Sequence, residues 1–233
     1  MAKISRHDNT NKAFIFDMDG VLIDSEIIWE HYESHFWTEW LGKEKYFKIK
    51  NQMFGNSMSS NYQLALQQGL KISKKEYLDT YDEYAKIVYS EAQITPDIAK
   101  LIKNLVRLKF QLGLVSSSRL SWINIVLEKL KLRNKFKAVI SLVDKQGMRP
   151  KPFPDGYVES MRILGSLPAT TVILEDSNSG IKAAKTSGAL TVCLKENLPR
   201  NYKPEGADLY IESIAELVDW LEGLSQSQLP FTV

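Results

Sequence analysis

The chain has 233 residues, enough for one large domain or one domain carrying a smaller insertion. Its 30 Lys and Arg nearly balance its 28 Asp and Glu, so no net field argues for nucleic acid or an anionic membrane, and a small molecule is the expected partner. A single cysteine, Cys193, excludes an internal disulfide framework and a multi-cysteine metal cluster, and points to a reducing compartment.

In chain order, the opening stretch "MAKISRHDNTNK" is polar and lacks the apolar segment of a secretory signal. No stretch approaches the roughly 20 apolar residues of a membrane span, so a cytoplasmic protein is expected, with no protein partner indicated. Residues 13–17, "AFIFD", are a buried-strand pattern that runs straight into carboxylates, with Asp17, Asp19 and Asp24 close together. From about Asp24 to Gln93 only helical patterns follow, such as "IIWEHYESHFWTEWL" and "KKEYLDTYDEYAKIVYSEA". Trp29, Trp37, Trp40 and several tyrosines there suit the core of a small helical bundle. "ITPDIAK" returns the chain, with Pro96 near the start of the next helix.

Three more apolar runs end in polar residues: "QLGLVSSS" (111–118), "KAVIS" (137–141) and "TVILEDS" (171–177). Helix-like segments at 120–132, 155–167 and 179–188 separate or follow them, the last closing on a glycine. "LTVCL", with Cys193 as a core filler, and "DLYIE" extend the sheet, and "SIAELVDWLEGL" adds a last helix. The final "SQSQLPFTV" reads as a loose tail. Strands alternating with helices predict an α/β fold with a doubly wound (Rossmann-like) parallel sheet. The expected division is a core of residues 1–23 and 94–233, with a helical cap of residues 24–93 inserted after the first strand.

In such a sheet, ligands bind beyond the carboxyl ends of the strands. The first strand ends in Asp17 and Asp19, the second in Ser116, Ser117 and Ser118, and the fourth in Glu175 and Asp176, while "RPKPFPDGY" supplies Lys151 after the third. Singly, each is open to a plain reading as a turn, a helix cap or a rigid loop. Together they predict one site, and carboxylates gathered at one point imply a compensating cation. No His or Cys lies among these motifs, so the ligands are hard oxygens and Mg²⁺ is preferred over Zn²⁺. His7, His31 and His35 lie outside them, and Asp24 reads as a structural or capping residue at the start of the insertion.

Taken together, "DMDGVLIDSE", "LVSSSR", "KPFPDGY" and "LEDSNSGIKAAKTSG" resemble the haloacid dehalogenase-like superfamily of phosphohydrolases, in the branch of beta-phosphoglucomutases and sugar- or polyol-phosphate phosphatases. The resemblance runs from about residue 12 to 190, and the helical insertion resembles that family's small cap domain. It implies Asp17 as a nucleophile forming an aspartyl-phosphate and Asp19 as general acid, then base. A spacing of two on an extended segment is expected to put both side chains on one side. The resemblance also implies Ser116, Ser117 and Lys151 as holders of the phosphoryl oxygens. Asp17, Asp19 (through its carbonyl), Asp176 and Glu175 are the implied Mg²⁺ site, with Glu175 in direct contact or just outside.

The substrate implied is a small phosphorylated metabolite, and the expected reaction is hydrolysis of a phosphate monoester. The alternative is a phosphomutase. In the mutases a histidine follows the first motif and an arginine follows a Gly-x-Ser in the cap. The matching positions here are Trp29, in "SEIIWEH", and Met58, in "FGNSMSS". A phosphonatase would require an activated cap lysine, and Lys43, Lys45, Lys48 and Lys50 offer no singled-out candidate. A non-catalytic protein on this fold would be expected to lack Asp17, Asp19 or Lys151, and all are present.

Overall fold

The computed structural model describes residues 11–53, 58–199 and 202–223. Strand β1 (Asn11–Phe16) buries its last four residues completely, and their alternation decides what packs on each side. Phe14 and Phe16 point into one hydrophobic cluster and Ala13 and Ile15 into another. Both faces of the strand are therefore covered, at roughly 1.5–3 kcal/mol for each large apolar side chain removed from water.

Five further strands pair in parallel around it: β4 (Gln111–Ser116), β5 (Phe136–Ser141), β6 (Ser166–Glu175), β7 (Leu190–Leu194) and β8 (Leu209–Ile211). Their order is β5-β4-β1-β6-β7-β8. The direction of winding reverses at β1, which is where a doubly wound sheet opens a crevice at its carboxyl edge. Helices α5 (Ile98–Arg107), α6 (Leu120–Leu130) and α9 (Ile214–Gly223) cover the Phe14/Phe16 face. Helices α7 (Asp155–Leu164) and α8 (Asn178–Ser187) cover the other. Helix α5 shows why such segments dock: Ile98, Leu101, Ile102 and Leu105 are buried at helical spacing on one stripe. Cys193 fills the core of β7, as expected.

Between β1 and α5 the described residues build four helices, α1 (Glu26–Leu41), α2 (Lys43–Met53), α3 (Met58–Gln67) and α4 (Lys74–Glu91). Phe36, Trp37, Tyr62, Tyr77 and Tyr81 form their common core, with ring centroids 4.9–5.8 Å apart. The predicted aromatic bundle is thus present. The sequence reading left out a short antiparallel ribbon that opens and closes this insertion, β2 (Ile23–Asp24) against β3 (Gln93–Ile94).

Hydrogen bonds tie the insertion and its two flanks to the core. Asn197 donates from Nδ2 to the Gly20 carbonyl (3.1 Å) and to Thr95 Oγ1 (2.9 Å). Lys129 of α6 donates to the carbonyls of Ser90 (2.8 Å) and Ala92, so a cation closes the α4 C-terminus. Element ends moved where backbone chemistry demanded it. Helix α7 stops at Leu164 because Gly165 turns left-handed (φ 66°), so residues 166 and 167 begin β6 rather than end the helix. His31 and His35 are exposed. No helix among the described residues is long and apolar enough to cross a membrane. His7, Gly55, Ser57 and the tail from 225 onward lie outside the described residues.

Candidate active site

Asp17 is the first residue beyond β1, its amide still donating to Leu174 O of β6 (3.0 Å). Lys151 Nζ donates to Asp17 Oδ1 (2.6 Å) and to Glu175 Oε1 (2.5 Å), and its side chain is only 6% exposed. Glu175 ends β6 with no exposure at all. It is held by Lys151, by the Tyr157 hydroxyl (2.5 Å), and at Oε2 by the Asp176 amide (3.1 Å) and the Ser177 hydroxyl (3.2 Å). A buried carboxylate is tolerated there because its oxygens are met by donors.

Asp176 is different. It is 7% exposed, and no donor among the described residues meets its carboxylate. One oxygen each from Asp17, Glu175 and Asp176 lie within 4.8 Å of one another. Burial, then the charges of Glu175 and Asp17, push the Asp176 carboxyl well above its ordinary value. Burial likewise raises Asp17 to about 7, against the pull of Lys151. Burial disfavours the Lys151 ammonium too, but Asp17 and Glu175 outweigh it and keep it protonated. Three carboxylates answered by one ammonium, with one carboxylate lacking any donor, form a donor set that fits a hard divalent cation.

Glycines let this cluster close. A Cβ on Gly20 (φ 75°) would sit 1.8 Å from Asp176 Oδ2, and one on Gly180 would sit 1.9 Å from Glu175 Oε1. Gly20→Ala is therefore expected to cost about 1–3 kcal/mol from the left-handed backbone alone. It should also push Asp176 out of the cluster. Thermal melts with and without Mg²⁺ check this: the variant should melt lower and lose most of any Mg²⁺-induced shift, and a full shift would refute it.

Asp19 faces a different set of partners. β1 ends at Phe16, and the chain then turns over the Met18 carbonyl, which accepts from the Val21, Leu22 and Ile23 amides. Asp17 keeps the β6 ladder through its amide and Asp19 bridges to Ile23, so the turn itself follows both residues, whose carboxylates meet different partners. Asp19 Oδ1 accepts from Ser25 Oγ (2.7 Å) and Tyr89 OH (2.9 Å), and Oδ2 from Ser118 Oγ (2.8 Å). Burial, then the charge of Asp19, keeps Tyr89 a neutral phenol and so a donor. Tyr89 comes from α4, so the helical insertion reaches into the core site.

Ser116 ends β4 buried, its Oγ accepting from the Ser118 amide (2.9 Å). Ser117 is half-buried in the turn that follows, and its hydroxyl meets no partner among the described residues. The structure thus gathers Asp17, Asp19, Ser116, Ser117, Lys151, Glu175 and Asp176 at the carboxyl edge of β1, β4 and β6. It adds four residues given no role from sequence: Ser25, Tyr89, Ser118 and Tyr157. Ser25, Ser118 and Tyr157 stood inside quoted motifs. Tyr89 carried no local signal, because its partner lies 70 positions away. Asp24 does not cap α1. It sits in β2, its Oδ1 buried with no hydrogen-bond partner among the described residues, while Ser25 takes the N-cap position and turns its hydroxyl to Asp19.

The description "Haloacid dehalogenase-like hydrolase" matches residues 14–194. The chain is 28% identical to Hexitol phosphatase B of Escherichia coli (strain K12) over 215 residues, 88% of this chain and 93% of that protein. It is 24% identical to Beta-phosphoglucomutase of Bacillus subtilis (strain 168) over 220 residues, 88% of this chain and 91% of that one. The fold matches the crystal structure of CbbY from Rhodobacter sphaeroides in complex with phosphate, with a TM-score of 0.71 at 23% identity, covering 89% of this chain and 96% of that one.

Proposed function

The chain belongs to the haloacid dehalogenase-like hydrolase family, and from that premise we propose a Mg²⁺-dependent phosphatase that hydrolyses a singly phosphorylated sugar or polyol through an aspartyl-phosphate. The observation that carries this reading is Lys151, an ammonium 6% exposed and bound at once to Asp17 and Glu175. A dianionic phosphate could not approach Asp17 against three carboxylates without fixed positive charge, and the fold fixes it there. The named phosphatase relative supports the same reaction class.

Asp17 attacks phosphorus with Oδ2, which no group among the described residues holds, while Lys151 fixes Oδ1. The bond from phosphorus to the leaving oxygen breaks, and Asp19 gives that oxygen its proton. Asp19 then takes a proton from water, which attacks the aspartyl-phosphate and frees Asp17. Lys151, Ser116 and Ser117 bind the phosphoryl oxygens through this sequence, the Ser117 hydroxyl having no other partner. Asp17, Asp176 and the Asp19 carbonyl would hold Mg²⁺, which when bound supplies positive charge against the phosphate. Glu175 is assigned to Lys151 and Tyr157 rather than to the metal, because its oxygens already meet five donors. Residues 24–93 act as a cap on the core of residues 1–23 and 94–233, placing Tyr89 on Asp19 and excluding water from the site.

The mutase reading rests on the relative so named. Against it, Trp29 stands 9% exposed among Tyr81, Tyr89 and Trp122 where a mutase histidine is expected. Met58 packs against the hydrophobic core. Turnover of p-nitrophenyl phosphate with Mg²⁺, abolished by chelator and by Asp17→Asn, is the expected result. Chelator-resistant turnover, or glucose 6-phosphate from beta-glucose 1-phosphate in place of free phosphate, would reverse the reading.

A further inference from the structure

Glu26 opens α1 directly after Ser25, whose hydroxyl is bound to Asp19. Its side chain is partly buried and makes no hydrogen bond or ion pair among the described residues. Trp29 and Glu33 follow on the same face of α1, three and seven positions on. Trp29 packs on Tyr89, the ring that reaches Asp19, at a centroid distance of 6.0 Å. Glu33 accepts from the Tyr81 hydroxyl (2.6 Å), so it is satisfied and Glu26 is not. Glu26 is thus a carboxyl without a partner on the insertion's side of the site, next to the group that serves the leaving oxygen.

Two features of that wall limit what can sit against it. Glu26 lies in the field of Asp19, Glu33 and Asp17, whose charges add to burial in raising it to about 8, and a second anion placed there would meet the same charges. Arg119, which follows the serine turn, has its Nη1 committed to Asp82 at 2.7 Å. A hydroxyl, by contrast, donates to a carboxylate and accepts from a carboxylic acid, and so suits Glu26 in either protonation state.

We propose that Glu26 is a specificity residue that hydrogen-bonds a hydroxyl of the leaving group, selecting uncharged polyhydroxylated phosphomonoesters over substrates with a second anionic group. This rests on the phosphatase reading of the same site. It adds the chemistry of the part of the substrate that is not phosphate.

The test compares sorbitol 6-phosphate, fructose 1,6-bisphosphate and p-nitrophenyl phosphate, which has no hydroxyl to offer, in wild type, Glu26→Gln and Glu26→Ala. In Glu26→Ala the ratio of kcat/KM for sorbitol 6-phosphate to that for p-nitrophenyl phosphate should fall on the order of 10- to 100-fold, with Glu26→Gln between. The ratio for the bisphosphate over sorbitol 6-phosphate should rise in both. Unchanged ratios in folded variants would overturn the proposal, as would equal loss on all three substrates. The same proteins are titrated with sorbitol 6-phosphate and with inorganic phosphate by calorimetry. Weakening of the first relative to the second sustains the role of Glu26 even if wild type hydrolyses nothing, an outcome that would sink the phosphatase reading alone. Equal weakening of both overturns the proposal.

Discussion

Lys151→Met is expected to abolish turnover of p-nitrophenyl phosphate and to lower the stability of the metal-free protein by about 3–5 kcal/mol. The loss in rate should reach at least the 10²–10³-fold that a single oxyanion donor commands, since Lys151 both holds Asp17 and meets the phosphate. The stability loss follows from what the substitution leaves behind: Asp17 at 7% exposure and Glu175 at none, with the cation that joined them gone. The dependence on pH has a definite sign. Asp17 is raised in the folded protein to about 7 from an ordinary 3.8, so the folded state binds the extra proton. Stability is then greatest below the lower value and falls as pH rises through the window between the two. Without Lys151, the Asp17 value moves further up, and the deficit of the variant should grow from pH 5 to pH 8. Chelated thermal melts across that range check it, and a deficit that shrinks with rising pH would show that Lys151 is not what keeps these carboxylates charged. Glu175→Gln added to Lys151→Met should restore much of the stability and none of the turnover, separating the fold's need for the lysine from the reaction's.

Most of this arrangement was legible because the groups sit where strands end. The apolar runs of β1, β4 and β6 are readable by their composition, and Asp17, Ser116 and Glu175 stand at or just past their last residues. The parallel order then forces those ends to one edge of the sheet. Element boundaries were less readable where one backbone torsion decides them, as at Gly165 and at Lys131, whose φ of 57° ends α6 at Leu130 rather than at 132. The environment of Asp19 was the least readable part. Its three hydroxyl donors come from positions 6, 70 and 99 residues away, and serine and tyrosine are too common for their presence to signal a contact. The turn over Met18 likewise could not be foreseen from alternation, and beside it Asp19 meets Tyr89 of α4 while Asp17 meets Lys151. Those partners separate the two carboxylates by environment, which is the condition for giving them different chemical roles.

Asp19→Asn tests that separation, and its outcome depends on the leaving group. With a sugar or polyol phosphate the departing alkoxide needs a proton, so removing the acid should slow the first step by on the order of 10²–10⁴-fold. Nitrophenolate leaves without a proton, so Asp17 can still attack p-nitrophenyl phosphate. The aspartyl-phosphate then waits, because no base activates water. The variant should therefore release a burst of about one equivalent of nitrophenolate per site and then nearly stop, while polyol phosphate turnover is lost from the outset. The side chain of asparagine still fits the three hydroxyls around Asp19, since its amide oxygen can accept from Ser25 and Tyr89 while its amide nitrogen donates to the Ser118 oxygen, so the fold should melt near wild type. Stopped-flow absorbance resolves the burst, and acid-quenched protein should carry one phosphate that hydroxylamine removes. Steady turnover of both substrates at the wild-type rate would take the proton-transfer role away from Asp19. A burst that persists in Asp17→Asn/Asp19→Asn would take the nucleophile's role away from Asp17.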